Sequence, residues 1–411
     1  MLAVLAFTGA SIWTLIRYRN ENPVRCFTVL TCIYMISLLF IGSFDYILPL
    51  YCVFLVLTFG WNYHFRPVSL LFLACVGCYT IWGILFQDWY LTITTVITRY
   101  GYFLIFILYC SMKKHMRYRE SDVRFILYAG FFTEFLMILI VWIRDGFGAR
   151  VISNNQPLGG GIVIALIILI GIGYRNRYFA VGETIFYSLC AVVIVILSGT
   201  RGYMVLLALP LFVIFWMFLL DIPGKGKQVP VRVCFVMFAV YVFFLGMALF
   251  VDASWISDLL RMNDGLGYRG NENLFVSLIK DSSPWYRTIF GYGFGGSAEH
   301  LDNYHEILEK ASWNRSFMYS KLQESTIFHN YWNTIWYKQG YFGLVTVGIF
   351  YAGVFYDILK METSIWNRWI LMGTAAGTII SLTFRITATC SIFEFLILGY
   401  VMYGLRRKKN E

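Results

Sequence analysis

Charged residues are scarce in this chain. They make up 14% of its 411 residues, whereas about a quarter is usual in a soluble globular protein. Proline is also rare, with 8 residues, while hydrophobic residues reach 59% and aromatic residues 19%. A water-soluble domain is excluded, because so few polar groups could not cover the apolar surface. The composition predicts an all-α polytopic membrane protein.

The chain also lacks any cluster of cysteine and histidine residues. Its 9 cysteines lie mostly in apolar runs, and none falls within 252–328, so neither a disulfide framework nor a metal cluster is predicted. Cys75 and Cys78 have the Cys-x-x-Cys spacing but lie inside an apolar run, where they are better interpreted as two small packing residues. We expect no metal and no cofactor.

Apolar runs divide the chain into about 12–13 predicted spanning helices. An N-terminal bundle of about ten helices (1–251) is followed by a large loop (252–328), C-terminal helices (329–405) and a basic tail (406–411). No basic residue precedes the first, short apolar run, so a cleaved signal peptide is not expected. The predicted helices are 1–16, 26–42, 46–61, 67–86, 91–111, 125–143, 158–174, 179–198, 203–220, 233–251, 335–356, 369–386 and 391–405.

The distribution of basic residues predicts the orientation of these helices. Most Lys and Arg residues fall in one set of alternate short loops and in the tail, whereas the opposite short loops contain only Arg144, Arg150 and Arg201. Cytoplasmic loops are the ones enriched in Lys and Arg. The first set is therefore predicted to be cytoplasmic and the loop 252–328 extracytoplasmic. The net charge of +10 then reflects topology and does not indicate a nucleic-acid partner.

The long loop contains two recognisable patterns. Apolar residues recur at three- and four-residue steps or their multiples, which predicts an amphipathic helix on or near the outer membrane surface; they are Leu301, Tyr304, Leu308, Ala311, Met318 and Leu322. Before it, the stretch 290–296 is rich in glycine. It lacks the strand–turn–helix context of a nucleotide-binding loop, and we interpret it as a flexible turn that lets the backbone approach a ligand.

Several arginines lie within or between apolar runs, where a charged side chain is costly in a membrane protein. Arg201 separates two apolar runs with almost no loop, so it either snorkels at the interface or holds an anion, since a guanidinium binds phosphate bidentately. Arg99 lies inside a predicted helix, where it either pairs with Glu134 or faces a cavity. Arg150 precedes an outer loop rich in Asn, Gln and Gly, which either cradles a sugar or phosphate or is a plain turn.

His329 and Asn330 lie where the long loop returns to an apolar segment. A histidine has a pKa close to neutral and can accept a proton from a hydroxyl group at physiological pH. The alternative interpretation is a hydrogen-bonded interfacial histidine. A zinc site is disfavoured, because no second His or Cys lies within three to five residues.

Three short motifs, taken in order, resemble the bacterial O-antigen ligase and polysaccharide polymerase superfamily of lipid-linked glycan transferases. They are Ser198-Gly-Thr-Arg-Gly202, Tyr268-Arg269 continuing to Ser283-Pro284-Trp285 and the glycine-rich turn, and His329-Asn330 followed by Gly340-Tyr-Phe-Gly343. The resemblance implies a GT-C-like helical fold that needs no metal. It also implies that His329 is the catalytic base and that Arg201 and Arg269 bind the diphosphate. Asn330, Arg150 and Arg99 are further candidates for substrate binding.

The expected function is that of a polymerase at the outer face of the bacterial inner membrane. It would transfer a polyprenyl-diphosphate-linked glycan onto a lipid-linked repeat unit, with a chain-length-regulating copolymerase as a candidate partner. One alternative is a ligase that transfers the finished glycan to lipid A–core, and another is a transporter or flippase. Ligases often carry a carboxylate soon after the His-Asn pair. This chain has Asn333, Thr334 and Lys338 there instead, which favours the polymerase.

Overall fold

The computed structural model describes residues 2–20, 22–37, 47–59, 63–111, 119–147, 169–174, 176–197, 274–296, 304–310, 331–361, 367–368 and 370–375, and positions 379 and 399. Within these ranges the regular secondary structure is helical and no strand occurs. The all-α prediction is confirmed for this part of the chain. The predicted helices 203–220 and 233–251, and most of 158–174, 369–386 and 391–405, lie outside it, so the number of spanning helices stays a prediction.

The described helices follow the apolar runs of the sequence. They are α1 Leu2–Tyr18, α2 Pro23–Ser37, α3 Ile47–Phe59, α4 Pro67–Phe86, α5 Trp89–Thr95, α6 Gly101–Ser111, α7 Glu120–Asp145, α8 Val181–Leu197, α9 Trp285–Phe290, α10 Tyr304–Lys310 and α11 Tyr331–Lys360. Helical backbone is also described at 169–174, 274–282 and 370–375.

Three of these helices are long and apolar enough to cross a membrane: α4, the part Glu120–Arg144 of α7, and α11. Helices α2, α3 and α8 are apolar but shorter. A spanning helix needs about 20 residues to cross the hydrocarbon core. The three long helices therefore support the prediction that this is an all-α membrane protein.

Local sequence signals set several helix ends. Helix α4 begins with Pro67, whose fixed φ and missing N–H suit the first helical position. Asp88 caps α5, where its carboxylate accepts a hydrogen bond from the backbone N–H of Leu91 at 2.9 Å. Helix α7 carries acidic residues in its first turn and Arg144 in its last, in the order that the helix dipole favours.

Two predicted helices are interrupted in the structure. The segment 91–111 was expected to be a single helix, but α5 and α6 are joined by a π-helical turn, Val96–Tyr100. The segment 335–356 is longer than expected, since α11 covers Tyr331–Lys360, and it is broken at Gly340, where φ is 65° and ψ is −160°. Neither interruption could be read from an apolar run, and the break at Gly340 lies where the backbone of Ile289 approaches α11.

Ion pairs join helix ends that the charge pattern assigns to one side of the membrane. Arg25 at the start of α2 contacts Asp122 at the start of α7, with Nη1 2.9 Å from Oδ1. Arg124 in the first turns of α7 contacts Glu183 of α8 at 2.7 Å. Arg66, just before α4, pairs with Asp357 near the end of α11. All these positions flank loops that are predicted to be cytoplasmic. Helices α4 and α11 therefore run antiparallel.

An aromatic cluster packs α4, α6 and α11 together. The ring of Phe72 lies 5.1 Å from that of Phe103 and 4.9 Å from that of Phe350. Further along, the ring of Tyr100 in the π-helical turn lies 4.8 Å from that of Phe294, at a tilt of 40°, and Phe294 belongs to the glycine-rich stretch of the long loop. The core thus continues from the helix bundle into a segment that the sequence assigns to a loop.

The predicted amphipathic helix of the long loop is described only over Tyr304–Lys310. Glu306 and Lys310 lie one turn apart and form an exposed ion pair of 2.5 Å. Ile307 is buried, although the pattern did not place it on the apolar face. The rest of the predicted helix lies outside the described residues.

Candidate functional site

Most of the residues predicted to act on a substrate lie outside the described part of the chain. These are Arg150, Arg201, Arg269, His329 and Asn330. The backbone of Arg99 is described in the π-helical turn, but its side chain is not. Short π-helical turns within α-helices occur frequently at functional sites. What the structure does describe is the chain immediately after His329-Asn330 and, over 274–296, the later part of the second motif.

Helix α11 begins at Tyr331, directly after the His-Asn pair, and its first half is buried. Every residue from Thr334 to Gly340 is inaccessible to solvent, including the side chains of Lys338 and Gln339. The helix then breaks at Gly340, which leaves the last carbonyl groups of this half without the usual partners in the next turn. The partners for these carbonyls come from elsewhere in the chain.

The glycine-rich turn Gly291–Gly296 supplies those partners. The backbone N–H of Tyr292 donates to the carbonyl oxygen of Tyr337, and that of Gly293 donates to the carbonyl oxygen of Lys338, both at 2.8 Å. The Tyr79 hydroxyl of α4 lies 2.8 Å from the carbonyl oxygen of Phe290 and 3.2 Å from that of Gln339. We call this arrangement of Gly291–Gly296 with Tyr337–Gly340 the turn–helix junction.

Polar side chains from α4, α5 and the residues between them complete the junction. Gln87 donates from Nε2 to the carbonyl oxygen of Tyr292 at 2.6 Å and accepts at Oε1 from the N–H of Gly295 at 3.0 Å. Thr95 donates to the carbonyl oxygen of Phe294 at 3.1 Å. A backbone turn buried among helices must have its polar groups satisfied. Gln87 and Thr95 meet that requirement here.

Lys338 places a cation inside the junction. Its Nζ donates to the carbonyl oxygens of Gly296 at 2.6 Å and Phe294 at 3.2 Å, and the residue is only 1% exposed. Burying an ammonium is costly unless hydrogen bonds replace its hydration. Carbonyl dipoles of the turn supply that replacement. Lys338, which at the sequence level is a departure from the ligase pattern, thus binds the long loop to α11.

Glycine is required at the junction because two backbones meet there. A Cβ on Gly340 would overlap the carbonyl group of Ile289, and a Cβ on Gly291 would lie 2.5 Å from the backbone N of Gln339. Both residues also have positive φ, which favours glycine. The sequence led us to expect a turn that lets backbone approach a ligand. In the structure, the turn approaches a helix of the same chain.

Gln339 connects the junction to the π-helical turn. The buried hydroxyl of Tyr100 donates to Oε1 of Gln339 at 2.7 Å. Tyr100 directly follows Arg99, and Gln339 lies in the helix that begins after Asn330. The structure therefore brings the helical turn of Arg99 close to the helix that follows His329-Asn330, although these stretches are far apart in sequence.

Tyr292 is a polar side chain at the partly exposed side of the junction. Burial raises the pKa of its phenol, and the Ser283 hydroxyl and the Arg287 guanidinium oppose that shift only in part. A tyrosine with a raised pKa stays protonated at neutral pH and does not act as a base there. Tyr292 is thus no competitor for the base role predicted for His329.

The predicted pairing of Arg99 with Glu134 stays a prediction. Glu134 is fully buried in α7, and neither carboxylate oxygen has a hydrogen-bond partner within the described chain. The side chain of Arg99 lies outside that part.

The described residues contain no group of three or more His, Cys, Asp or Glu side chains that could hold a metal ion. Cys75 is buried, with its Sγ 3.8 Å from the Thr346 hydroxyl, as expected for a packing residue. Cys78 is exposed, so the interpretation of both as packing residues holds only for Cys75.

Sequence reasoning missed the role of Lys338, Gln339 and Gln87. One signal was present: Lys338 and Gln339 are adjacent polar residues close to the start of a long apolar run, where isolated polar groups require partners. The partners themselves could not be identified without the fold.

Known proteins do not identify this chain. No family model matches it, and searches of curated proteins and of solved structures found no match.

Proposed function

We propose that this protein is a membrane glycosyltransferase that polymerises lipid-linked polysaccharide repeat units. The donor is a glycan on a polyprenyl diphosphate, and the acceptor is a lipid-linked repeat unit at the outer face of a bacterial inner membrane. The proposal rests first on the ordered motifs that contain Arg201, Arg269 and His329-Asn330. A chain-length-regulating copolymerase remains the proposed partner.

One structural observation supports the proposal most directly. The turn–helix junction joins the end of the second motif, which begins at Tyr268-Arg269, to the helix that begins directly after the third motif's His329-Asn330. Its closest links are the hydrogen bonds from Lys338 to Gly296 and from Tyr292 to Tyr337. A base and a phosphate-binding arginine must act on the same substrate. A rigid connection between their segments is what such a site requires.

The chemistry assigned to each residue follows from the reaction. The acceptor hydroxyl attacks the anomeric carbon, the bond to the diphosphate breaks, and negative charge develops on the leaving phosphate oxygens. Fixed guanidinium groups such as those of Arg201 and Arg269 stabilise that charge. His329 accepts the proton from the attacking hydroxyl. Asn330, Arg150 and Arg99 are the further candidates for holding the sugar or phosphate.

The ligase remains the second candidate from the same class. Lys338 stands after the His-Asn pair, where ligases often carry a carboxylate, and it hydrogen-bonds to the long loop. Because the Lys338 side chain is engaged in this structural contact, it does not take the place of the ligase carboxylate in recognising an acceptor. This favours the polymerase.

A transporter is the candidate from another class of function. Transporters use broken helices to bind ions and substrates, so a break such as the one at Gly340 is expected in a transporter. Here the carbonyl groups of Tyr337, Lys338 and Gln339 at the break accept hydrogen bonds from the turn and from Tyr79. Each of these carbonyl groups is therefore already hydrogen-bonded within the chain, which disfavours the transporter.

Reconstitution of the full-length protein in vesicles with purified lipid-linked repeat units separates these functions. Elongated lipid-linked products formed from repeat units alone support the polymerase. Transfer only after addition of lipid A–core identifies a ligase. Movement of the lipid-linked glycan across the bilayer without any elongation overturns the glycosyltransferase proposal.

A further inference from the structure

The short helix α9, Trp285–Phe290, presents an exposed apolar surface among the described residues. None of its residues is buried, and Trp285 is 71% exposed. Tyr286, Ile289 and Phe290 are exposed as well. Complete burial of a large apolar side chain contributes about 1.5–3 kcal/mol, and these side chains forgo part of that contribution if water surrounds them. Four such side chains in one six-residue helix indicate that water is not the medium around it.

The helix is held in a defined place. The N–H of Gly291 donates to the carbonyl oxygen of Arg287 at 2.7 Å and ends the helix. Tyr79 of α4 contacts the carbonyl oxygen of Phe290, and the ring of Phe290 lies 6.1 Å from that of Phe342 in α11. Tyr79 is seven residues before the end of α4 at Phe86, which is about 10 Å along the helix axis. The C-terminal end of α9 therefore lies below the end of a spanning helix and not beyond it.

The helices near α9 also expose large apolar side chains. Tyr341 and Phe342 of α11 are exposed beside α9. The end of α4 and the start of α5 expose further large apolar side chains: Ile81, Trp82, Leu85, Phe86, Trp89 and Tyr90. Tryptophan and tyrosine accumulate where a protein crosses the boundary between hydrocarbon and headgroups. The surface therefore has the composition of such a boundary.

Basic side chains lie at the edge of this surface. The guanidinium carbon of Arg287 lies 5.7 Å from the ring centre of Tyr286 and 5.4 Å from that of Tyr292. The Lys280 ammonium lies 4.7 Å from the ring centre of Trp336 and 5.9 Å from that of Tyr341. Of these rings Trp336 is buried, whereas Tyr286 and Tyr341 are exposed, and cations beside exposed aromatic rings suit the phosphate groups of lipids. Apolar side chains and bordering cations together match one leaflet of a bilayer.

We propose that α9 is inserted in the membrane leaflet on the predicted extracytoplasmic side, with its apolar side chains among acyl chains and Arg287 and Lys280 at the level of the phosphates. The segment that the sequence assigns to an extracytoplasmic loop is thereby anchored in lipid. This proposal does not depend on the glycosyltransferase assignment, because it concerns only where the helix resides.

Photo-crosslinking tests the proposal. The benzophenone amino acid p-benzoylphenylalanine replaces Trp285 in one variant, Ile289 in a second and Glu309 in a control. Glu309 is exposed on α10 of the same loop. Each full-length protein is reconstituted in vesicles of phosphatidylethanolamine and phosphatidylglycerol and irradiated. Its mass is then measured by intact-protein mass spectrometry. We expect a mass increase of one phospholipid at positions 285 and 289, and much less of it at 309.

Two results would overturn the proposal. Covalent dimers at 285 or 289 in place of lipid adducts would show that a second copy covers the helix. The absence of lipid adducts at both 285 and 289 would place α9 outside the leaflet. Using two positions on α9 guards against a single substitution that prevents folding.

Discussion

The ammonium of Lys338 donates a hydrogen bond of 2.6 Å to the carbonyl oxygen of Gly296, and this contact joins α11 to the long loop. The two residues lie on either side of the predicted catalytic pair His329-Asn330 in the sequence. Their contact therefore closes a loop that contains the proposed base. The two ends of that segment are thus held together by a cation buried among backbone dipoles.

We expect Lys338→Met to destabilise the protein and to lower glycan transfer. Methionine fills similar space but leaves the carbonyl oxygens of Phe294 and Gly296 without this donor, at a cost of about 1–3 kcal/mol. Thermal unfolding of the detergent-solubilised protein measures the loss, and the reconstituted elongation assay measures activity. The control is Lys360→Met at the far end of α11, where the lysine is exposed. A Lys338→Met protein with wild-type melting temperature and turnover would remove the structural role of this contact.

Gly340→Ala should be strongly destabilising. The backbone at Gly340 has φ 65° and ψ −160°, a region that essentially only glycine occupies, at a cost of about 1–3 kcal/mol for other residues. The new Cβ would also overlap the carbonyl group of Ile289. Gly348→Ala in the same helix is the matched control, because open space surrounds its Cβ position. If both variants melt at the same temperature, the break at Gly340 is not a feature of the folded protein.

Tyr100→Phe tests the link between the π-helical turn and α11. The substitution leaves the buried Oε1 of Gln339 without its 2.7 Å hydrogen bond, and we expect a loss of about 1–3 kcal/mol in the free energy of unfolding. Tyr90→Phe is the control, since Tyr90 is exposed on α5. Equal stability of the two variants would contradict the hydrogen bond.

Substitution of Glu134 decides between a lone buried carboxyl group and a pair with Arg99. Both of its oxygens lack a partner in the described chain, so Glu134→Leu should leave the free energy of unfolding within about 1 kcal/mol of wild type or increase it. Breaking a buried ion pair would instead cost about 3–5 kcal/mol. A double-mutant cycle with Arg99→Leu provides the measurement, and a large coupling energy would establish the pair.

His329→Ala should abolish elongation without affecting membrane insertion, because the acceptor hydroxyl would lose the group that takes its proton. His305→Ala, on α10 of the same loop, should retain activity. Near-wild-type elongation by the His329→Ala protein in the reconstituted assay would remove the base assignment.

Arg201→Lys should also reduce elongation severely. The lysine keeps the charge but replaces a bidentate donor by a single ammonium. Arg19→Lys, in a loop predicted to be cytoplasmic, should behave as wild type. A fully active Arg201→Lys enzyme would mean that Arg201 only snorkels at the interface.

The sequence alone determined the helical class and the alternation of helix ends. Residues 67–86 form a helix with the predicted bounds, Pro67–Phe86, because proline starts it and an uninterrupted apolar run sustains it. The charge pattern assigned the ends near Arg25, Asp122, Arg66 and Asp357 to one side, and these residues form ion pairs. Periodicity, composition and charge act locally and can therefore be read along the chain.

Only the tertiary structure decided which polar residues hold the loop to the bundle. Gly340, Gly348 and Gly353 all lie in α11, yet only Gly340 breaks it, because the backbone of Ile289–Gly291 approaches at that point alone. Lys338 and Gln339 acquire their roles from Gly296 and Tyr100, which are distant in sequence. Which backbone approaches a given residue depends on long-range packing, and no local pattern in the sequence encodes it.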